Sequence, residues 1–113
     1  MLNQVVIVGR LVKEVLIEEV EGKKKGLITI ACPRAYKNVN GEYDTDFVDC
    51  VIWKGIVDNV LEYYHKGDVI GVRGRIETSN VENEDGSKKK ITEIVADKIT
   101  FLSSKKSDEM PEE

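Results

Sequence analysis

The segment from residue 46 to residue 77 constrains the fold most, because its apolar periodicity changes from that of a strand to that of a helix and back. Along 46–54 the side chains alternate, so that small apolar residues, including Cys50, face one side while Phe47 and Trp53 face the other. The small residues predict a core face. The opposite face, which carries the aromatic residues, is either buried as well or forms a binding surface.

An amphipathic helix follows this strand, since Val57, Val60, Leu61 and Tyr64 recur at helical spacing, and Gly67 is expected to end it in a left-handed conformation. Runs rich in Val, Ile and Thr predict five strands, at residues 4–11, 27–34, 47–54, 69–78 and 91–102. One helix between the third and fourth strands is the element order of an OB-fold. We therefore predict an all-β, partly open, five-stranded Greek-key barrel, whose second and third strands form the usual oligonucleotide face.

The chain resembles the bacterial single-stranded DNA-binding protein (SSB) family, of the low-GC Gram-positive type, over about residues 1–102. The segments that carry the resemblance are LNQVVIVGRL at 2–11, DFVDCVIWK at 46–54, KGD at 66–68, VRGRI at 72–76 and TEIVAD at 92–97. The resemblance implies sequence-independent binding of single-stranded DNA, which protects and organises it in replication, recombination and repair. It also implies that Tyr36, Phe47 and Trp53 stack on bases.

The charge of the chain is unusual for a protein that holds phosphates, because 21 acidic residues outnumber 17 basic ones and the net charge is −4. The basic residues are clustered, however, and Arg73 and Arg75 share one face of a strand. Lysines 23–25 are interpreted as solvated charges at a hairpin tip, with DNA contact as the alternative. Phosphate contacts are expected at Arg10, Arg34, Lys37, Lys54, Lys66, Arg73, Arg75, Lys88, Lys89 and Lys90.

The connection between the last two strands departs from the family pattern. Val81 stands where the family presents an aromatic residue, and several nearby positions are polar or acidic where basic residues would help, namely Glu77, Ser79, Asn80, Glu82, Glu84 and Asp85. Lysines 88–90 compensate in part. We expect weaker binding, and less wrapping of DNA, than is usual in the family.

The first strand predicts an oligomer interface, because the run from Gln4 to Val8 is apolar on both faces and a small barrel buries only one. The interface residues are expected to be Gln4, Val6 and Val8. The resemblance implies a homotetramer, in which several weak DNA-binding faces act together.

Residues 1–104 are predicted to form the binding domain and residues 105–113 a short acidic disordered tail. In many family members an acidic tail ending in Pro-Phe recruits replication and repair enzymes. The tail here lacks that Phe, so recruitment by this route is not expected. No apolar run reaches the roughly 18–20 residues that span a bilayer, and no signal region precedes the first strand, so we expect a cytoplasmic, nucleoid-associated protein with no membrane partner.

No catalytic constellation, cofactor site or metal site is expected. His65 is the only histidine and lies on the polar side of the helix, and neither Cys32 nor Cys50 has a partner at metal-binding spacing. Two non-enzymatic alternatives remain. Acidity and the missing hairpin aromatic favour a protein-interaction OB module, and an RNA-binding OB-fold is equally compatible with stacking, since unpaired RNA bases have the same faces.

Overall fold

The computed structural model describes residues 1–104, which form one sheet of six strands and one helix. The elements are β1 (Val5–Leu11), β2 (Leu16–Val20), β3 (Lys23–Lys37), β4 (Tyr43–Trp53), α1 (Lys54–Tyr63), β5 (Val69–Glu82) and β6 (Lys88–Ser103). The strand order is β1-β5-β6-β4-β3-β2, and β1 also pairs with β3. The pairing of β4 with β6 is parallel and the other pairings are antiparallel. This connectivity is the predicted OB-fold.

The barrel is partly open, as predicted, because two of its seams are short. β1 meets β3 only at Arg10↔Ala31 and Leu11↔Ile30, and β4 meets β6 only at Cys50↔Ile94 and Val51↔Val95. Gly9 permits this crossing, since a Cβ there would lie 2.4 Å from the carbonyl oxygen of Ala31.

The prediction of five strands was wrong by one, because residues 16–20 form β2 in the connection between the first two predicted strands. β2 pairs with the first part of β3, at residues 23–27, along the edge that β1 does not reach. A two-residue turn joins β2 to β3 at Glu21 and Gly22, both of which have positive φ. All five side chains of β2 are exposed. A strand without a buried face has no apolar alternation, so periodicity could not reveal it.

Two hairpins are also longer than predicted. The β3–β4 ladder continues to Lys37↔Tyr43 and the β5–β6 ladder to Glu82↔Lys88. Both ribbons project beyond the barrel and are exposed on both sides, so polar residues pair there without an apolar pattern. The turn of each hairpin contains a glycine with positive φ, 79° at Gly41 and 87° at Gly86.

The core fills the barrel and is closed at one end by α1, which contributes Val57 and Val60. The prediction that Gly67 caps this helix was wrong, since α1 ends at Tyr63 and is followed by extended backbone at Tyr64. Gly67 does have a positive φ, but it lies in the next turn, where the Asp68 amide donates to the His65 carbonyl. The other buried members of the core are Leu11, Ile28, Ile30, Cys50, Ile52, Ile70, Val72 and Ala96.

The tail predicted for residues 105–113 lies outside the described residues. Within residues 1–104, the single helix is too short and too polar to cross a membrane.

Candidate nucleic-acid interface

The outer face of β4 carries the two aromatic residues that the alternation placed there. Phe47 is 66% exposed, while Cys50 and Ile52, on the inner face, are buried in the core. Directly opposite Phe47 on β3 is Ala31, which pairs in turn with Arg10 on β1. Because Ala31 is small, its side chain does not cover the Phe47 ring, which stays open to solvent.

Trp53 lies at the end of the same face, where β4 passes directly into α1. The junction is sharp, since Lys54 begins the helix with a φ of 40°. Opposite Trp53 in the ladder is Lys25, whose Nζ lies 5.8 Å from the centroid of the Trp53 ring. Trp53 is half-buried, so its ring is held in place yet borders a cleft of about 300 Å³. Val20, Glu21, Lys23, Trp53 and Lys54 line this cleft.

Tyr36 lies in the irregular part of β3, between Pro33 and Lys37, and is 65% exposed. Pro33 and Lys37 pair with Thr45 and Tyr43, which share the face of Phe47. Arg34 holds Asp46 with two hydrogen bonds, Nε to Oδ2 at 3.1 Å and Nη2 to Oδ1 at 2.9 Å. This bidentate contact holds the pKa of Asp46 below its ordinary value. Asp46 alternates with Phe47 along β4, so this ion pair lies on the opposite side of β4 from Phe47.

Arg73 and Arg75 share the outer face of β5, as predicted, but their surroundings differ. Arg75 donates to Asp97 at 2.6 Å and also pairs with Glu77. Asp97 reaches it because β6 has one extra residue at this point, between the pairs Arg73↔Lys98 and Gly74↔Ala96. Arg73 is exposed and has no carboxylate at ion-pair distance among residues 1–104.

The remaining predicted phosphate contacts are spread over the surface. Arg10 is half-buried and donates from Nη1 to the carbonyl oxygen of Gly67 at 2.7 Å, so one side of its guanidinium is used within the fold. Lys37 lies 5.9 Å from the centroid of the Tyr43 ring. Lys54 adjoins Trp53, and Lys66 is exposed in the turn after α1. Lys88, Lys89 and Lys90 lie on the returning arm of the β5–β6 hairpin.

Sequence reasoning missed two residues of this surface. Lys25 had been interpreted as solvated, yet it contacts the Trp53 ring and lies 3.5 Å from Glu93 and 3.9 Å from Glu18. No local signal could have found it, because the contact depends on strand register. Tyr43 could have been found, since it continues the two-residue alternation backward from Phe47.

Neither cysteine contributes to this surface, since Cys32 pairs with Asp46, which faces away from Phe47. Cys50 is fully buried, and burial raises the pKa of its thiol to about 11, so it remains protonated. Residues 1–104 contain no group of His, Cys, Asp and Glu side chains arranged to hold a metal ion.

The face of β1 contains the predicted interface residues. Val6 and Val8 are 69% and 56% exposed, and Gln4 is exposed just before the strand. Val6 and Val8 pair with Arg73 and Gly71 on β5, which places them on the outer surface of the barrel.

Fold and surface together define an OB-fold binding protein whose outer face combines aromatic rings with cations. The chain matches the family model described as "Single-strand binding protein family" over residues 2–102. It therefore belongs to this family. Among curated relatives, "Single-stranded DNA-binding protein 1" of Lactococcus lactis subsp. lactis is 41% identical over 108 residues, which cover 95% of this chain and 72% of the relative.

A second relative, "Single-stranded DNA-binding protein B" of Bacillus subtilis, is 39% identical over 106 residues, which cover 93% of this chain and 94% of the relative. These relatives confirm the predicted resemblance to Gram-positive members. Two solved structures confirm the fold, each with a TM-score of 0.72. "Plasmodium falciparum SSB complex with ssDNA" is 24% identical and covers 91% of this chain and 97% of its own. Mitochondrial Rim1 of S. cerevisiae is 21% identical and covers 92% and 99%.

Proposed function

We propose that this chain binds single-stranded DNA without regard to its sequence, and so protects and organises it in replication, recombination and repair. The observation that carries the proposal is the exposed Phe47 ring on the outer face of β4, in line with Trp53 and Lys25. Every base has a π-face, so stacking contributes about 1–3 kcal/mol per base whatever the sequence. A duplex covers those faces in its own stack, so this surface favours single strands.

The relatives support the proposal through what their names and titles say of them. The two bacterial relatives are called single-stranded DNA-binding proteins, and the Plasmodium structure is a complex with single-stranded DNA. Such a protein acts where single strands are exposed, at the nucleoid in the cytoplasm, and its binding needs no cofactor.

The cations around the aromatic face divide into two groups. Arg73 and Lys54 are exposed and available to phosphates. Arg34 and Arg75 are already held by carboxylates, so a phosphate must displace an aspartate or glutamate to reach them. Each exchange removes part of the gain that a free cation would supply. This is a physical reason for binding that is weaker than a basic protein of the same fold would achieve.

The test is a titration with oligo-dT, following the fluorescence of Trp53, the only tryptophan, at two salt concentrations. Quenching that weakens with salt is the expected result, because stacking contacts the ring and phosphate contacts release counterions. Duplex DNA serves as one competitor and should compete poorly, because its base faces are covered. Matched single-stranded RNA serves as the second competitor and decides between DNA and RNA, since its unpaired bases offer the same faces. Tighter binding of RNA would replace the proposal with an RNA function. Absence of binding, both here and in a mobility-shift assay, would favour the protein-interaction module.

We also propose that copies of this chain assemble through β1 into a homotetramer. Residues 5–9 pair with β5 along one edge and, within residues 1–104, have no strand along the other. That open edge lies beside exposed Val6 and Val8, a combination that pairing with a second chain would cover. Several DNA-binding faces would then act as one multivalent site.

Analytical ultracentrifugation tests the assembly. Four chains of 12.7 kDa should sediment together, and the pair of substitutions Val6→Lys and Val8→Lys should dissociate them. Val20→Lys, at an exposed valine of β2, is the matched control and should leave the assembly intact. A wild type that remains monomeric at every concentration would contradict the proposal.

A further inference from the structure

The β3–β4 hairpin carries an exposed ring that neither the sequence analysis nor the resemblance assigns to the interface. Tyr43 is the first residue of β4 and is 58% exposed. The irregularity in this ladder lies in β3, between Pro33 and Lys37, so β4 is regular from Tyr43 to Trp53. Alternation therefore places Tyr43 on the same face as Phe47. The two Cα atoms are about 13 Å apart along the strand.

Lys37 accompanies Tyr43 in the same way that Lys25 accompanies Trp53. Each lysine lies directly opposite its aromatic residue in the ladder. The distances from Nζ to the ring centroid are 5.9 Å and 5.8 Å. A ring that stacks on a base, with a cation beside it for the adjoining phosphate, is the unit from which single-strand binding surfaces are built. This unit occurs at both ends of β4, with Phe47 between.

We infer that Tyr43 and Lys37 form a further subsite for single-stranded DNA, in which Tyr43 stacks on a base and Lys37 contacts the neighbouring phosphate. The inference rests on the proposed function and extends it, because it directs the bound strand along β4 from Trp53, past Phe47, toward the tip of the hairpin. This subsite supplies a stacking contact beyond Phe47 in a protein whose other hairpin carries Val81 instead of a ring.

The test compares Tyr43→Ala and Tyr43→Phe with wild type in oligo-dT titrations at fixed salt. Tyr43→Ala should weaken binding by about 5- to 150-fold, the range expected for loss of one stacking contact. Tyr43→Phe keeps the ring and should bind within about twofold of wild type. Tyr63→Ala is the matched control, because Tyr63 is 59% exposed but lies on α1, and it should also stay within about twofold.

The outcomes separate this inference from the proposed function. If wild type does not bind oligo-dT, the proposed function fails and the subsite fails with it. If wild type binds, Phe47→Ala weakens binding and Tyr43→Ala does not, only the subsite is overturned. Should Tyr43→Ala fold poorly, photo-crosslinking of wild type to oligo-dT containing 5-iodouracil decides the matter. An adduct on Tyr43 supports the subsite, whereas adducts on Phe47 or Trp53 with none on Tyr43 overturn it.

Discussion

The β3–β4 and β5–β6 hairpins have the same turn but different surfaces. In each turn, the backbone N–H of an asparagine donates to the backbone carbonyl four residues later at 2.7 Å, from Asn38 to Glu42 and from Asn83 to Ser87. In each, a glycine with positive φ donates back to that asparagine's carbonyl at 3.0 Å. Both ribbons extend beyond the barrel and are exposed on both sides. The two hairpins therefore have backbones of similar shape and exposure on which DNA-contacting side chains could be carried.

The side chains on the two ribbons differ. The β3–β4 hairpin and its continuation present the exposed rings of Tyr36, Tyr43 and Phe47, whereas the projecting part of the β5–β6 hairpin presents charged, polar and aliphatic residues. Val81 on β5 lies opposite Lys89 on β6, so this lysine has an aliphatic side chain, and not a ring, as its partner in the ladder. The shape of the backbone therefore does not decide how each ribbon binds DNA. The side chains do: the β3–β4 ribbon has rings that can stack on bases, whereas the projecting part of the β5–β6 ribbon has cations without rings.

The largest effect is expected at Phe47. Phe47→Ala removes the most central ring of the face and should weaken oligo-dT binding by about 1–3 kcal/mol, measured by fluorescence titration. Val81→Ala, at the other hairpin, should change it by less than about 0.5 kcal/mol, because no ring is lost. Equal losses at the two positions would show that the hairpins bind alike.

A smaller change of opposite sign is expected when the second hairpin receives a ring. Val81→Trp places an indole opposite Lys89, which repeats the arrangement of Trp53 and Lys25, and binding should strengthen by about 1 kcal/mol. Fluorescence anisotropy of labelled oligo-dT avoids interference from the second tryptophan. The control is Leu61→Trp, at an exposed position of α1, which should have no effect. An unchanged affinity for Val81→Trp would mean that the second hairpin is out of reach of the bound strand.

Removing a carboxylate that competes for Arg75 should have a still smaller effect. Asp97→Asn leaves Arg75 with Glu77 alone, so binding should strengthen by about 0.3–1 kcal/mol. The dependence of log K on log salt should steepen by up to about 0.7, the value for one added phosphate contact on a single strand. Glu62→Gln makes the same charge change on α1 and should alter neither quantity by as much. A salt slope that does not change for Asp97→Asn would mean that Arg75 does not contact DNA.

The smallest effect is the dependence of stability on pH. One carboxylate in each hairpin has a lowered pKa, and the group that lowers it differs between the two hairpins. The pKa of Asp46 is lowered chiefly by its hydrogen bonds from Arg34, and that of Asp85 by hydrogen bonds from Ser87, so both should titrate below the ordinary value of 3.8 in carboxyl NMR. The stabilisation from each ionised carboxylate is complete above pH 3.8 and is lost as the pH falls through the lower folded-state pKa.

Two substitutions separate these causes. Arg34→Gln should raise the pKa of Asp46 alone, and Ser87→Ala that of Asp85 alone. A shift of both values by either substitution would show that the two hairpins are coupled.

Much of the fold could be predicted from local patterns. The alternation of Phe47 and Trp53 against Cys50 depends only on neighbours in sequence and was predicted correctly. β2 and the ribbon ends could not be predicted from apolar alternation, because residues exposed on both sides gain no burial energy from alternating. Leu61 shows the same limit, since its spacing favours the core face of α1 but the barrel is too small to cover it.

The sequence by itself determined the strands that bury one apolar face, and that two aromatics share one face of β4, because side-chain direction within a strand follows from a two-residue repeat. Only the tertiary structure decided which side chains meet. The pairing register of β3 with β4 brings Lys25 to Trp53, the extra residue in β6 brings Asp97 to Arg75, and the irregularity in β3 leaves Lys37 opposite Tyr43. Each of these contacts joins different strands, and pairing register is fixed by the apolar face that each strand buries and by the turn that joins the strands.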